Sequence, residues 1–78
     1  GLALAYEAMR RGGNIPTVYN AANEKAVALF LERKIRYLEI TEMIASCMEQ
    51  ATFVTSPNLD EILETEASVY DYIKSRWQ

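Results

Sequence analysis

Residues 16–31 form the longest uninterrupted helical pattern in the sequence, and this run constrains the fold more than any other. Pro16 suits the first turn of a helix, where its missing N–H group costs no hydrogen bond, and Asn14 can cap the first free amides. At the helical period, one face of the run collects Tyr19, Ala22, Asn23, Ala26, Val27, Phe30 and Leu31. The run therefore predicts a central helix, with the rest of the chain packed around it.

Three further segments show helical periodicity. The first begins at Leu2 and stops at Gly12-Gly13, which permit a left-handed turn. Its apolar face is formed by Leu2, Ala5, Tyr6 and Met9. The next segment carries Ile40, Met43, Ile44, Cys47, Met48 and Ala51, and the last carries Leu59, Ile62, Leu63, Val69, Tyr70, Ile73 and Trp77. The pattern predicts an all-α fold, a small four-helix bundle-like domain with short connections.

Local signals predict where the third and fourth helices begin. Thr41 or Glu39 is expected to cap the third helix. Ser56 followed by Pro57 is expected to supply the cap and the first position of the fourth helix. Residues 64–66 interrupt the apolar pattern, so the fourth helix is expected to bend or restart there.

A chain of 78 residues is expected to form a single domain, residues 1–78, around one hydrophobic core. Ile35 and Tyr37, in the short connector 35–38, are expected to point into that core. The other expected core residues are Leu2, Tyr6, Met9, Val18, Ala22, Ala26, Val27, Phe30, Leu31, Ile40, Ile44, Cys47, Met48, Ile62, Leu63, Tyr70, Ile73 and Trp77.

Composition argues against several partners. The formal net charge of −3 disfavours nucleic acid and anionic membrane surfaces as partners. The longest apolar run, residues 26–31, is too short to cross a bilayer. A single cysteine, Cys47, cannot form an internal disulfide, which favours a cytoplasmic protein. Helical periodicity from Leu2 onward, without a signal peptide, predicts a piece of a longer protein.

The residue types predict no catalytic, cofactor-binding or metal-binding residue in this chain. Histidine is absent, which removes the usual nucleophile-and-base pairs, and one cysteine cannot build a zinc site. Cys47 lies in an apolar stripe, so a buried, inert thiol is expected. Asp60, Glu61 and Glu64 could form an acid–base pair, but acidic residues in the first turn of a helix more simply favour its dipole.

Two polar features of the central helix need an explanation. Asn20 and Asn23 share a side of the helix, and a buried amide needs partners for both its oxygen and its nitrogen. We expect them to tie down the loop at residues 12–16 or a neighbouring helix end, although contact with a ligand is the alternative. The basic cluster Arg33, Lys34 and Arg36 is read as a solvated helix end.

Several motifs are familiar in their order and spacing. They are Leu4-Ala5-Tyr6-Glu7-Ala8, Gly12-Gly13, Pro16-Thr17-Val18 and Asn20-Ala21-Ala22-Asn23-Glu24, followed by Ala26-Val27, Phe30-Leu31, Lys34-Ile35, Ile40 and Leu59-Asp60-Glu61-Ile62-Leu63-Glu64. Together they resemble the carboxyl-terminal part of the 1-deoxy-D-xylulose 5-phosphate reductoisomerase family. The resemblance covers nearly the whole chain and is weakest between Cys47 and Ser56.

The resemblance implies a three-part enzyme of which this chain is the third part. In that family an amino-terminal domain holds NADPH, and a central domain holds a divalent metal, Mg or Mn, and the substrate. The full-length enzyme would convert 1-deoxy-D-xylulose 5-phosphate to 2-C-methyl-D-erythritol 4-phosphate in non-mevalonate isoprenoid biosynthesis. The resemblance implies that the full-length enzyme is a homodimer. The family's metal and substrate ligands lie upstream, so this domain is expected to bind no cofactor, to contact the catalytic domain of the same chain and to be inactive alone.

A second hypothesis of a different class is a free-standing helical module for protein interaction. Such a module would pair through an exposed apolar strip, for which Trp77, Tyr72 and Leu38 are the candidates.

Overall fold

The computed structural model describes residues 2–77. It contains four α-helices: α1 (Leu2–Arg11), α2 (Ile15–Leu31), α3 (Tyr37–Gln50) and α4 (Leu59–Trp77). No strand occurs within residues 2–77, so the predicted all-α class is confirmed. None of the helices in this range is both long and apolar enough to span a membrane. Helix α2 contacts each of the other three helices, as expected of a central helix.

The turn between α1 and α2 depends on two glycines. Gly12 and Gly13 have φ angles of 69° and 58°, which confirms the predicted left-handed stop. The two positions differ in their surroundings. A Cβ atom on Gly13 would lie 2.3 Å from the Val54 carbonyl oxygen, whereas one on Gly12 would meet no atom within 4 Å. Gly13 therefore allows the connection between α3 and α4 to approach the turn closely.

Helix α2 ends in a Schellman motif. The N–H of Arg33 donates to the Phe30 carbonyl, and the N–H of Lys34 donates to the Leu29 carbonyl, each at 2.9 Å. Arg33 adopts a left-handed φ of 61° to make this turn. The chain then places Ile35 in the core, as predicted, but Tyr37 is largely exposed, and its ring contacts Phe30 edge-on instead.

The starts of α3 and α4 differ from the predicted positions. Helix α3 begins at Tyr37, and the Glu39 carboxylate accepts the Arg36 N–H at 2.7 Å, so Glu39 stabilises the first turn while Thr41 lies inside the helix. Helix α4 begins at Leu59, two residues after Pro57, and its cap is not Ser56.

Asn58 caps α4 in a reciprocal arrangement with Glu61. The Asn58 side-chain oxygen accepts the Glu61 N–H at 2.8 Å, and the Glu61 carboxylate accepts the Asn58 N–H at 3.0 Å. The helix then continues without interruption through residues 64–66, so the expected bend or restart is wrong. Thr65 in this stretch is buried, and its hydroxyl is satisfied there, because it accepts a hydrogen bond from the Asn14 amide and donates one to the Glu61 carbonyl.

The predicted core is partly correct. Besides Ile35, seven predicted residues are buried, namely Val18, Ala22, Ala26, Ile44, Cys47, Met48 and Ile73, and four are half-buried, namely Phe30, Ile40, Ile62 and Trp77. Besides Tyr37, seven are exposed, contrary to prediction: Leu2, Tyr6, Met9, Val27, Leu31, Leu63 and Tyr70. The core also contains six residues outside that prediction: Ala8, Ile15, Ala21, Leu29, Met43 and Val69.

The errors in α2 have a common physical cause. The buried face runs through Ile15, Val18, Ala22, Ala26 and Leu29, and the opposite, exposed face carries Asn20, Glu24, Val27 and Leu31. Apolar residues occur on nearly every side of α2. The periodicity therefore establishes that a helix is present, but it leaves undetermined which side faces inward.

Candidate interaction surface

The side chain of Asn14 connects three segments of the chain. Only 2% of the residue is exposed. Its amide oxygen accepts the Val54 N–H at 2.9 Å, and its amide nitrogen donates to the Thr52 carbonyl at 2.9 Å and to the Thr65 hydroxyl at 3.1 Å. The Asn14 backbone N–H also donates to the Val54 carbonyl at 3.0 Å. We call this set of contacts the Asn14 junction.

The Asn14 junction replaces the predicted cap. Asn14 does occupy the N-cap position of α2, but its side chain makes no capping hydrogen bond. The amide instead reaches across to the connection between α3 and α4. Because both its oxygen and its nitrogen are bonded within the protein, Asn14 offers no free group to a ligand.

A groove of about 420 Å³ lies beside this junction, between α3 and α4. Its lining includes Cys47, Gln50, Glu64, Ser68 and Tyr72. Within residues 2–77, no buried side-chain nitrogen or oxygen lacks a hydrogen-bond partner, so no orphaned polar atom points into the groove. The groove therefore shows no sign of a built ligand site.

Cys47 is the one cysteine of the chain, and it is buried in the core. Burial raises the pKa of its thiol to about 11, because the thiolate would lose its hydration. The thiol therefore stays protonated near neutral pH, which suits the predicted inert residue rather than a nucleophile.

The charged residues do not converge on a site. No group of three or more His, Cys, Asp or Glu side chains in the described part of the chain could hold a metal ion. Glu61 is engaged with Asn58 at the start of α4. The basic residues Arg33, Lys34 and Arg36 are exposed, and Lys34 lies 3.4 Å from the Glu32 carboxylate, as expected of a solvated helix end.

Two of the three residues proposed for an apolar strip are engaged within the domain. The Tyr72 hydroxyl lies 2.6 Å from the Ser46 hydroxyl and accepts a hydrogen bond from Arg76 at 2.9 Å. The Trp77 ring packs edge-on against Tyr72, and both aromatic residues are half-buried. Leu38 is exposed, so the predicted strip of Trp77, Tyr72 and Leu38 does not form as such.

Asn20 and Asn23 do not tie down a loop or a helix end, contrary to the structural prediction. Asn20 is exposed, Asn23 is half-buried, and neither side chain makes a hydrogen bond to any of residues 2–77. Glu24 on the same side lies near Tyr70 of α4. Desolvation, followed by the Glu24 and Glu66 charges, raises the pKa of Tyr70. This face of α2 therefore mixes amides and a carboxylate with Val27 and Leu31.

Helix α1 presents three large apolar residues on its outer surface. Leu2, Tyr6 and Met9 are 74%, 66% and 72% exposed, although they occupy one face of the helix. We call these three residues the α1 stripe. Only Ala8 of α1 is fully buried, with Leu4 packed partly against the core. The inner side of α1 therefore carries Ala8 and Leu4, while the three residues of the α1 stripe point outward.

Sequence reasoning identified the residues of this stripe but assigned them to the core. Periodicity cannot distinguish a face that packs inside a domain from one that packs against another surface, because both need the same spacing.

Comparisons with known proteins agree with the resemblance noted from the motifs. Residues 1–72 match the family model described as the DXP reductoisomerase C-terminal domain. The chain is 64% identical to the 1-deoxy-D-xylulose 5-phosphate reductoisomerase of Agathobacter rectalis, over 99% of the chain and 20% of that relative. It is 54% identical to the enzyme of the same name from Lachnospira eligens, over 99% of the chain and 20% of the relative. No solved structure gives a significant match.

These matches cover very different shares of this chain and of its relatives. Nearly all of this chain is matched, but it spans about one fifth of the length of the curated relatives.

Proposed function

The chain belongs to the DXP reductoisomerase C-terminal domain family, and from this membership we propose that it is the accessory carboxyl-terminal domain of a 1-deoxy-D-xylulose 5-phosphate reductoisomerase. The observation that carries the proposal is the match of almost the whole chain, at 64% identity, to one fifth of a protein of that name.

In this proposal the full-length polypeptide converts 1-deoxy-D-xylulose 5-phosphate to 2-C-methyl-D-erythritol 4-phosphate with NADPH, as a cytoplasmic homodimer. NADPH, the divalent metal (Mg or Mn) and the substrate bind to the other domains. Within the described range, no three candidate metal ligands come together. In this proposal the contribution of the domain is mechanical rather than chemical.

A bracing role agrees with the chemistry of the domain. The Cys47 thiol is held in its neutral form, and the Asn14 amide is saturated by internal hydrogen bonds. A compact domain of this kind can hold an active-site framework in position, and small displacements of such a framework reduce the rate.

NADPH oxidation tests the proposal. We would compare the full-length polypeptide, the same polypeptide without residues 1–78, and this chain alone, each with 1-deoxy-D-xylulose 5-phosphate and Mg²⁺ or Mn²⁺. The full-length protein should turn over, the chain alone should not, and the truncated protein should lose most activity. Turnover by the isolated chain, or full activity after truncation, would contradict the proposal.

The exposed α1 stripe also suits the second hypothesis, a free-standing interaction module. The two hypotheses differ in what the stripe contacts. A free-standing module would self-associate or bind a separate protein in proportion to concentration, whereas an accessory domain would contact its own polypeptide. Sedimentation of the isolated chain over a range of concentrations distinguishes them.

A further inference from the structure

We propose that the α1 stripe, Leu2, Tyr6 and Met9, is the docking face of this domain, and that it is covered by the part of the same polypeptide that precedes it. This inference rests on the proposed function, because it takes the rest of the reductoisomerase as the occupant. It adds which face of the domain makes the contact.

The first argument is the orientation of α1. The three side chains of the α1 stripe point away from the core, whereas Ala8 is fully buried and Leu4 packs partly against the core. A helix gains most of its stability in a protein by burying its apolar face, and α1 has left that face uncovered. Burial of this face therefore requires an apolar surface outside the described residues.

The second argument is the absence of charge on the stripe. Glu7 and Arg10, the nearest charged residues in the sequence, bond to each other, with Arg10 Nη2 2.5 Å from Glu7 Oε2. The Arg11 guanidinium donates to the Met48 carbonyl at 3.2 Å. These contacts occupy the neighbouring charges within the domain, so the stripe is suited to a packed apolar partner.

The third argument is the position of the stripe in the polypeptide. The family description places this domain at the carboxyl terminus, and about four fifths of each relative's length lies outside the match. The preceding chain therefore enters the domain through α1. A surface tethered beside α1 has a high effective concentration there, which favours it over any free partner.

The α2 face is a weaker candidate for the same contact. Asn20 and Glu24 share that face with Val27 and Leu31, so burying it would remove an amide and a carboxylate from water. Burial of the α1 stripe has no such cost apart from the Tyr6 hydroxyl.

Methionine oxidation in the full-length polypeptide tests the inference without any substitution. The domain has three methionines, of which Met43 and Met48 are buried and Met9 is exposed when the domain is considered alone. After brief treatment with hydrogen peroxide, peptide mass spectrometry would measure sulfoxide at each position, with the urea-unfolded polypeptide as reference. If the stripe is covered, Met9 should oxidise as slowly as Met43 and Met48, about tenfold more slowly than in the unfolded chain.

Oxidation of Met9 at the unfolded rate, with Met43 and Met48 still protected, would overturn the inference. Protection of Met9 that disappears on dilution would indicate a second copy as the occupant, and would also overturn it. NADPH oxidation by the untreated protein reports on the proposed function separately. An active enzyme with a freely oxidised Met9 would retain that function and lose only this docking face.

Thiol labelling gives a second measurement at a different residue. Tyr6→Cys in the full-length polypeptide should label about tenfold more slowly than Asp71→Cys, a control at an exposed position on α4. Equal labelling rates would count against the docking face. The buried thiol of Cys47 should contribute little background.

Discussion

The Asn14 junction and the α1 stripe differ in a way that reverses the usual distribution of polar and apolar groups. At the junction a polar amide is buried, and every one of its bonding groups has a partner inside the domain. On the stripe three large apolar residues are exposed, with no partner among the described residues to cover them. The buried amide is explained by the domain alone, whereas the exposed stripe is explained by a surface outside it.

The largest loss of stability is expected when the side-chain amide of Asn14 is removed. Asn14→Leu keeps a similar volume but leaves the Val54 N–H, the Thr52 carbonyl and the Thr65 hydroxyl with one partner fewer. We expect the free energy of unfolding to fall by about 3 kcal/mol, measured by urea denaturation. Asn58→Ala, which removes only a helix cap, should cost about 1 kcal/mol. Equal losses in the two variants would show that the junction is no more than a cap.

A steric test of the junction uses the two adjacent glycines. Gly13→Ala would strain a positive φ and press a Cβ atom against the Val54 carbonyl, so we expect a loss of about 3 kcal/mol. Gly12→Ala is the matched control, because its φ is also positive but its surroundings are open. It should cost about 1 kcal/mol in the same thermal or urea melt. If both variants lose the same stability, the approach of Val54 to the turn is not tight.

Alkaline pH tests the core beside the junction. The pKa of Cys47 is raised from 9.0 to about 11 in the folded chain, so the unfolded chain loses its thiol proton first. Stability from this group is therefore complete below pH 9 and is lost as the pH rises toward 11, by about 2 kcal/mol. The Tyr70 hydroxyl, whose pKa is also raised, acts in the same direction. The contribution of the thiol is the difference between the wild type and Cys47→Ala in how the free energy of unfolding changes with pH. Identical slopes would show that the Cys47 thiol is not buried in the core.

The smallest effect is expected on the stripe itself. Met9→Lys places a charge where the side chain is already in water, so the isolated chain should change in stability by less than about 0.5 kcal/mol. In the full-length polypeptide the same charge would be buried, and the melting temperature should fall. A large loss in the isolated chain would mean that Met9 packs within the domain after all.

The sequence was sufficient for the fold class and for the number of helices, because amphipathic spacing and the Gly12-Gly13 stop are local signals. It was insufficient to predict which face of α1 and of α2 is buried. The exposed stripe of α1 has the spacing of a core face, and apolar residues surround α2, so tertiary packing alone decides which side is buried.

The bonding of individual polar residues was predicted least well. The sequence predicts that Asn14 caps nearby amides, and that Asn20 and Asn23 tie down the loop at residues 12–16 or a neighbouring helix end. Asn14 instead bonds groups 38 to 51 residues away, and Asn20 and Asn23 make no hydrogen bond within residues 2–77. Long-range partners of this kind have no signature in local spacing, so the sequence could indicate the residue type but not its contacts.

The Asn14 junction also has a consequence for how the chain can be cut and rejoined. The Asn14 side chain holds the connection between α3 and α4 through Thr52 and Val54. These hydrogen bonds form only when groups about 40 residues apart in sequence come together. The exposed turn at Glu32 to Lys34 carries no such long-range bond to a side chain. A circular permutation that opens the polypeptide between α2 and α3 should therefore preserve the native topology, while one that opens it between Thr52 and Val54 should abolish cooperative folding.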